Sequence, residues 1–175
     1  MKQDLKENKG IVTMGGNPVT LVGEMIKPGD VAPDFTAVNK GGAPVSFSNY
    51  KGKTIIISVF PSIDTSVCAT QTRTFNKKAA DLSDNIVILT ISKDLPFALG
   101  RFCAAEGIDK VETLSDYMHS EFGTKYGFLM KENMLLARGV VVINPAGEVT
   151  YVEYVKEIKE EPNYDKALEA AKQAL

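Results

Sequence analysis

The feature that most constrains the fold of this chain is the segment of residues 54–60, TIIISVF, which is β-branched and almost continuously apolar. Such a run is typical of a strand buried on both faces, as in a parallel sheet with helices on either side. A second run of this kind, residues 86–91, follows a segment with helical spacing over residues 64–81. The order strand, helix, strand predicts a parallel β-α-β unit.

The segments on either side of this unit extend it to a mixed α/β pattern. Two apolar runs around the Gly-Gly-Asn-Pro turn at residues 15–18 predict an N-terminal β-hairpin over residues 11–22. The remaining pattern predicts an irregular Gly/Pro-rich segment (27–35), a short strand or turn (45–50), a helix ended by Gly107 (96–106), a short strand (111–114), a helical turn or two (117–126), a hairpin (139–143 with 148–155) and a terminal helix (164–175). We therefore expect one domain over residues 1–175, an α/β fold in which helices flank both faces of a mixed sheet and the hairpin is an addition.

Composition excludes several classes of function. The 175 residues include 20 Lys and Arg against 22 Asp and Glu, so no net basic field is available for binding nucleic acid. The apolar runs are too short to cross a membrane, and the hydrophilic N-terminal stretch has no signal-peptide pattern, so we expect a cytoplasmic protein with no membrane partner. One histidine, His119, and two cysteines are too few for most metal sites, and neither glycine pair forms a phosphate-binding motif. We expect neither a metal nor a cofactor.

The two cysteines are the residues that the composition leaves to explain. Cys68 follows the first buried strand at the start of the first helix, the edge where open α/β sheets place their ligands. If Thr65 caps that helix, Cys68 is its third residue, where the positive end of the helix favours a thiolate over a thiol. The alternative is structural, because Cys68 also lies on the inner stripe of the helix with Gln71 and Phe75, where a small buried residue is common.

The motif around Cys68 resembles that of a known family. Pro61-x-x-x-Thr65-x-x-Cys68, within PSIDTSVCATQTRTFN and followed by DLPFALGRFC, is similar to the active-site sequence of the atypical 2-Cys peroxiredoxins, the branch that contains the bacterial thiol peroxidases. An N-terminal hairpin is also a trait of that branch. The resemblance covers nearly the whole chain and implies a thioredoxin-like fold and a thiol-dependent peroxidase.

The resemblance also implies a role for each site residue. Cys68 would be the peroxidatic cysteine, which attacks a hydroperoxide and becomes a sulfenic acid, and Cys103 the resolving cysteine, which converts it to a disulfide. The Thr65 hydroxyl would bond the sulfur and the peroxide oxygens, and Pro61 would shield the site from water. Arg138, before a buried strand, stands where the family has an arginine that holds the thiolate. Thioredoxin would be the reductant, and members of the branch are typically homodimers.

Several alternatives remain open on the sequence. Arg73 and Arg101 are closer to Cys68 along the chain than Arg138, and Cys103 considered alone is better explained as a core residue. A Cys68–His119 pair is conceivable from composition. The chain could also be a redox-sensing interaction protein with a thioredoxin fold that uses the same cysteine pair, or a binding module with two structural cysteines.

Three further expectations follow from the pattern. Because Cys68 and Cys103 belong to separate helices, and a disulfide needs Cα atoms within about 7 Å, we expect one or both helices to unwind partly on oxidation. Residues 95–97 are apolar beside the expected site, and they either pack the second helix or line a substrate pocket. The mixed-charge run of residues 156–161 is expected to be a solvated surface.

Overall fold

Two sheets and their helices make up the computed structural model, which describes residues 4–175. The strands are β1 (Glu7–Met14), β2 (Asn17–Val22), β3 (Thr36–Asn39), β4 (Pro44–Ser46), β5 (Thr54–Val59), β6 (Ile86–Ser92), β7 (Glu112–Ser115), β8 (Leu129–Met130), β9 (Gly139–Ile143) and β10 (Val149–Tyr154). The helices are α1 (Ser66–Ala79), α2 (Pro96–Glu106), α3 (Glu121–Tyr126) and α4 (Tyr164–Gln173), with a 3₁₀ helix at Phe47–Tyr50.

The central sheet is mixed, as the sequence predicts. Within the described residues it has seven strands in the order β10-β9-β5-β6-β7-β3-β4. Strands β5, β6 and β7 are parallel, and β9 runs antiparallel to β5. The two continuously apolar runs form β5 and β6, which have a neighbouring strand on each side. A strand in this position that is also covered on both faces has few side chains in water, so an apolar sequence is favoured there.

Alternate residues of β5 point to opposite faces, and each face has its own cover. Ile57 belongs to a buried cluster with Phe122 and Tyr126 of α3. Ile56 belongs to a second cluster on the other face, with residues of the three remaining helices: Phe75 of α1, Cys103 of α2, and Ala167, Leu168 and Ala171 of α4. Helices therefore cover both faces of the sheet, which confirms the predicted fold class.

The N-terminal hairpin is confirmed, but its turn is shorter than the sequence predicts. Only Gly15 and Gly16 form the turn, and Pro18 lies within β2 opposite Thr13. Both glycines have positive φ values, of 60° and 82°, as a two-residue hairpin turn requires. Strand β2 also pairs with β8, so that β1, β2 and β8 form the smaller sheet.

Two short strands were not predicted. Strand β3 has four residues and follows directly on the Gly/Pro-rich segment, and β8 has two residues. Segments this short carry too little hydrophobic periodicity to be distinguished from loops. The helix predicted over residues 64–81 begins at Ser66, because Thr65 takes an extended conformation with ψ of 149°. That the chain is a single domain stays a prediction.

Candidate active site

Cys68 lies at the start of α1, directly after the central strand β5. Thr65 is the N-cap and its carbonyl accepts a hydrogen bond from Ala69 N at 3.0 Å, so Cys68 is the third residue of the helix, the position that the sequence predicts. Its side chain is fully buried, and it packs with Phe60, Ile63 and Leu99. The first turn of α1 holds no acidic residue that would offset the positive end of the helix dipole.

The side chain of Arg138 reaches the sulfur of Cys68. Its Nη2 atom donates to Cys68 Sγ at 3.3 Å. Arg138 immediately precedes β9, which is the neighbour of β5 in the sheet, and this pairing brings two residues that are 70 positions apart to the same edge. The guanidinium is 2% exposed, so the contact is made away from bulk water.

Two further hydrogen bonds fix the orientation of the guanidinium. Arg138 Nε donates to the carbonyl of Ile158 at 2.7 Å, and Arg138 Nη1 donates to Gln71 Oε1 at 2.8 Å. Gln71 is itself fully buried, and its Nε2 donates to Ser58 Oγ at 2.7 Å and to Val59 O at 3.2 Å. The amide of Gln71 therefore connects the end of β5 to the guanidinium.

The charge of Arg138 has no carboxylate partner. Across residues 4–175 the ion pairs involve other arginines and lysines, and the three acceptors of Arg138 are a carbonyl, an amide oxygen and the sulfur of Cys68. A buried cation without a counter-ion is costly, and the one group in contact with it that can become an anion is Cys68. The sulfur of Cys68 is therefore the one ionisable acceptor, within residues 4–175, that this buried guanidinium contacts.

A pocket of about 270 Å³ opens in front of this group. Three predicted site residues line it, Pro61, Thr65 and Arg138. The other lining residues were not predicted to belong to the site: Met14, Ser66, Val67, Ile158 and Lys159. Met14 comes from the end of β1, so the N-terminal hairpin forms one wall. The pocket is mainly apolar, with the guanidinium as its buried polar group.

Pro61 and Thr65 both lie on the loop that connects β5 to α1. Pro61 is buried, and Thr65 is exposed at the mouth of the pocket. The Thr65 hydroxyl donates to the carbonyl of Ser62 at 2.9 Å, which leaves its oxygen lone pairs available as acceptors. In this state of the protein the hydroxyl orders the loop rather than bonding the sulfur.

Cys103 lies apart from this group, in α2. It is 5% exposed and belongs to the buried cluster of Ile56 and Phe75, and its sulfur is 3.8 Å from Thr113 Oγ1. Both cysteines are free thiols. The partly buried ring of Phe102 packs against the clusters of both cysteines, so it lies between the two environments.

The two alternative arginines are engaged elsewhere on the surface. Arg73 forms a two-bond ion pair with Glu106, at 2.9 and 3.0 Å, and lies over the ring of Phe102. The hydrogen bond from Arg73 holds the pKa of Glu106 below its ordinary value. Arg101 pairs with Asp64 at 3.2 Å, and its side chain is 71% exposed. Neither guanidinium contacts Cys68.

The remaining candidate residues from the sequence analysis lie outside the pocket of Pro61, Thr65 and Arg138. His119 lines a different pocket of about 210 Å³, beside Asp116 and Met118, so it does not form a pair with Cys68. Leu95 and Phe97 are 51% and 84% exposed, so they do not pack α2, whereas Pro96 between them is buried. The pocket that these three residues border is not the pocket of Pro61, Thr65 and Arg138.

Residues 156–161 are not only a solvated surface, which corrects the sequence-based expectation. Ile158 is buried, and its carbonyl accepts from Arg138. Glu157 accepts hydrogen bonds from Gly15 N, Gly16 N and Thr13 Oγ1, which ties the hairpin turn to this segment. The burial of one apolar residue within a charged run is a tertiary effect that charge patterning does not register.

Gln71 is a site residue to which the sequence analysis gave no role. It lies on the inner stripe of α1 between Cys68 and Phe75, where a polar side chain needs a buried partner. That partner is Arg138.

Two other features are absent from residues 4–175. No helix there is both long and apolar enough to span a bilayer. The same residues hold no group of three or more His, Cys, Asp and Glu side chains that could bind a metal ion.

Comparison with known proteins gives a consistent set of relatives. Residues 27–168 match the model of the Redoxin family. A thiol peroxidase of Listeria monocytogenes is 56% identical over 163 residues, which cover 93% of this chain and 98% of that protein. A thiol peroxidase of Bacillus subtilis is 54% identical over 161 residues, with 92% and 96% covered. The crystal structure of a peroxiredoxin-like protein from Aquifex aeolicus is 38% identical, with a TM-score of 0.89, and the match covers 99% of this chain and 100% of that one.

Proposed function

The chain belongs to the Redoxin family, among its thiol peroxidases, and on this basis we propose that Cys68 is the thiolate that reduces its hydroperoxide substrates. The observation that carries the proposal is the contact between Cys68 Sγ and a buried guanidinium without a counter-ion. A hydroperoxide that enters the pocket of Pro61 and Thr65 meets the guanidinium of Arg138, and the Cys68 sulfur lies behind that lining, 3.3 Å from Arg138 Nη2.

The first step transfers one oxygen atom. The Cys68 thiolate attacks the terminal oxygen of R–O–O–H, the S–O bond forms as the O–O bond breaks, and the products are a sulfenic acid and an alkoxide that takes up a proton to become R–OH. Negative charge moves from sulfur to the leaving oxygen during this step. Arg138 faces that charge with a fixed donor and does not lose a proton, so it stabilises the transition state more than the ground state.

Thr65 and Pro61 assist from the loop. The Thr65 oxygen is free to accept the hydroperoxide O–H, because its own hydrogen is donated to Ser62 O. Pro61 has no N–H group and is buried, so it closes one side of the pocket without offering water a donor. Exclusion of water strengthens the interaction between the guanidinium and the developing charge.

Cys103 completes the proposed reaction as the resolving cysteine. Its thiol condenses with the Cys68 sulfenic acid, an S–S bond forms and water leaves, which prevents further oxidation to sulfinic acid. Because the two sulfurs belong to different buried clusters, the step needs local unwinding of α1, α2 or both. A dithiol reductant of the thioredoxin type then reduces the disulfide and is itself oxidised, in the cytoplasm as expected from the sequence.

The test is peroxide turnover with thioredoxin and thioredoxin reductase. Wild type is expected to consume hydrogen peroxide continuously, and Cys68→Ser to consume none. Cys103→Ser should react once and then stop. If wild type forms the Cys68–Cys103 disulfide but does not turn over with any dithiol reductant, the redox sensor is the better description. If its thiols are unchanged by peroxide, the proposed roles are wrong.

We also propose that the protein forms a homodimer through the exposed apolar residues next to α2. Leu95, Phe97 and Met118 are 51%, 84% and 55% exposed, and the pockets they border share Gly42. Large exposed apolar side chains grouped in this way are typical of an interaction surface. Sedimentation should give a dimer for wild type and a monomer for Phe97→Ser, whereas a wild-type monomer at micromolar concentration contradicts the proposal.

A further inference from the structure

The carboxylate of Asp94 lies at the centre of the contacts between the Cys68 loop and the start of α2. Asp94 is the second residue after β6 and is two residues before Pro96, the first residue of α2. Its side chain is half-buried and, in the part of the chain that the structure describes, has no cationic partner. Its acceptor capacity is used instead by neutral donors from two segments.

Two of these donors belong to the loop that precedes Cys68. Ser62 Oγ donates to Asp94 Oδ1 at 2.8 Å, and Ile63 N donates to Asp94 Oδ2 at 2.7 Å. The third donor anchors the carboxylate to the sheet: Ser92 Oγ donates to Asp94 Oδ2 at 2.7 Å. Hydrogen bonds to a charged acceptor are stronger than those between neutral groups. The carboxylate therefore fixes two consecutive loop residues to the end of β6.

The restraint continues from these residues to Cys68. The carbonyl of Ser62 accepts from both Thr65 N, at 3.1 Å, and Thr65 Oγ1, at 2.9 Å. Thr65 is the N-cap of α1, so its position decides where the helix begins and where Cys68 lies. Ile63, held through its backbone, packs its side chain against Cys68 in the same buried cluster. Asp94 is thus connected to Cys68 by one polar route and one apolar route.

We propose that Asp94 is a positioning residue for the peroxidase reaction: its carboxylate holds the Cys68 loop in the geometry for attack and must release that loop before the disulfide forms. The inference rests on the proposed function, since it assumes both steps. It predicts opposite effects of one substitution on two successive steps. A loop held less firmly spends less time in the geometry that Arg138 and Thr65 require, and more time in the displaced geometry that Cys103 requires.

The test measures the two steps separately by rapid quenching and mass spectrometry, with hydrogen peroxide as the substrate. In Asp94→Ala, the second-order rate constant for oxidation of Cys68 is expected to fall at least tenfold, and the first-order rate constant for disulfide formation to rise at least threefold. The fraction of Cys68 that becomes sulfinic acid in excess peroxide should fall accordingly. Oxidation within twofold of wild type, or slowing of both steps together, overturns the proposal.

Two other variants make the result specific. Ser62→Ala removes one of the loop donors and should shift both rate constants in the same directions by a smaller factor, and it decides the question if Asp94→Ala does not fold. Asp84→Asn changes an exposed carboxylate in the loop between α1 and β6 and should leave both rate constants unchanged. A Ser62→Ala protein with wild-type rate constants contradicts the proposal.

A separate readout distinguishes failure of this inference from failure of the proposed function. In the reduced protein without peroxide, alkylation of the buried Cys68 by iodoacetamide should be at least threefold faster in Asp94→Ala than in wild type. If wild-type Cys68 does not react with peroxide, the proposed function is wrong, and the alkylation rates still decide whether Asp94 holds the loop. Equal alkylation rates refute its positioning role.

Discussion

Arg138 Nη2 lies 3.3 Å from Cys68 Sγ, and both groups are buried. The pair forms because β9 runs beside β5 with Gly139 opposite Val59. Arg138, just before β9, therefore lies at the edge of the sheet where β5 ends and the loop to α1 and Cys68 begins. In the part of the chain that the structure describes, the sulfur is the one ionisable group among the three hydrogen-bond acceptors of the guanidinium. The other two acceptors, Ile158 O and Gln71 Oε1, fix the orientation of the guanidinium. In the Arg138 side chain, Nη2 therefore presents the positive charge to the Cys68 sulfur, while Nε and Nη1 hold the guanidinium in place.

The first prediction separates the charge of Arg138 from its shape. Arg138→Lys keeps the positive charge, but a single ammonium group cannot reach Ile158 O, Gln71 and Cys68 at once. We expect the rate constant for oxidation of Cys68 by hydrogen peroxide to fall about 100-fold, as is common when one fixed donor to a transition state is lost. Because the chain has no tryptophan, the reaction is followed by mass spectrometry of quenched samples. Arg73→Lys is the matched control and should stay within twofold of wild type.

The second prediction concerns Gln71, which orients the guanidinium. Gln71→Leu leaves Arg138 Nη1 and Ser58 Oγ without their buried partner, so the free energy of unfolding should fall by about 1–3 kcal/mol. Peroxide oxidation of Cys68 should slow as well, because the guanidinium is then free to rotate. Urea unfolding and the quenched reaction measure the two effects, and Thr70→Ala, at an exposed position of the same helix, is the control. A loss of stability with an unchanged oxidation rate would refute the orienting role.

The third prediction is local unwinding on oxidation. Cys68 and Cys103 pack in different buried clusters, with Phe102 in contact with both, so a disulfide requires at least one of them to leave its cluster. Amide hydrogen exchange should be faster in the oxidised protein over residues 65–72, residues 96–106 or both. Residues 139–143, within the central sheet, serve as the internal control. Equal exchange in both redox states over the two helical segments would mean that the bridge forms without unwinding.

The fourth prediction is a pH dependence of stability from Asp116. Burial raises the pKa of this carboxyl to about 6, even though the backbone N–H groups of Phe122 and Gly123 donate to it. An aspartate in an unfolded chain titrates near 3.9, so between about pH 4 and 6 the folded state binds more protons than the unfolded state. This group therefore makes stability decrease as pH rises through that window, by up to about 3 kcal/mol.

Asp116→Asn isolates that contribution. The free energy of unfolding of wild type minus that of the variant should decrease between pH 4 and 7, as measured by urea unfolding at each pH. The asparagine amide in this variant has one acceptor oxygen instead of two, so one backbone N–H loses its partner and the free energy of unfolding falls. This loss is the same at every pH. A difference that stays constant over the range, or increases, contradicts the expected titration of Asp116.

The sequence predicted the parts of the site that local chemistry determines. Thr65 is one of the residues near the start of the helical stripe that could be the N-cap, and the structure confirms it as the N-cap, with Cys68 as the third residue, although its side chain makes no capping hydrogen bond. The parts it did not predict depend on segments that meet only in three dimensions. The role of Ile158 O, the entry of Met14 into the pocket and the route from Asp94 to Ser62 carry no local pattern. Arg138 was identified through a family resemblance and not through its own neighbours in sequence.

The measurement that tests the central claim most directly is the site of the first oxidation. In Cys103→Ser, the sulfenic acid cannot be resolved, so one equivalent of hydrogen peroxide followed by dimedone should add one dimedone adduct per chain. Peptide mapping should place that adduct on Cys68. Absence of the adduct at Cys68, while peroxide is still consumed, would contradict the assignment of Cys68 as the attacking thiol.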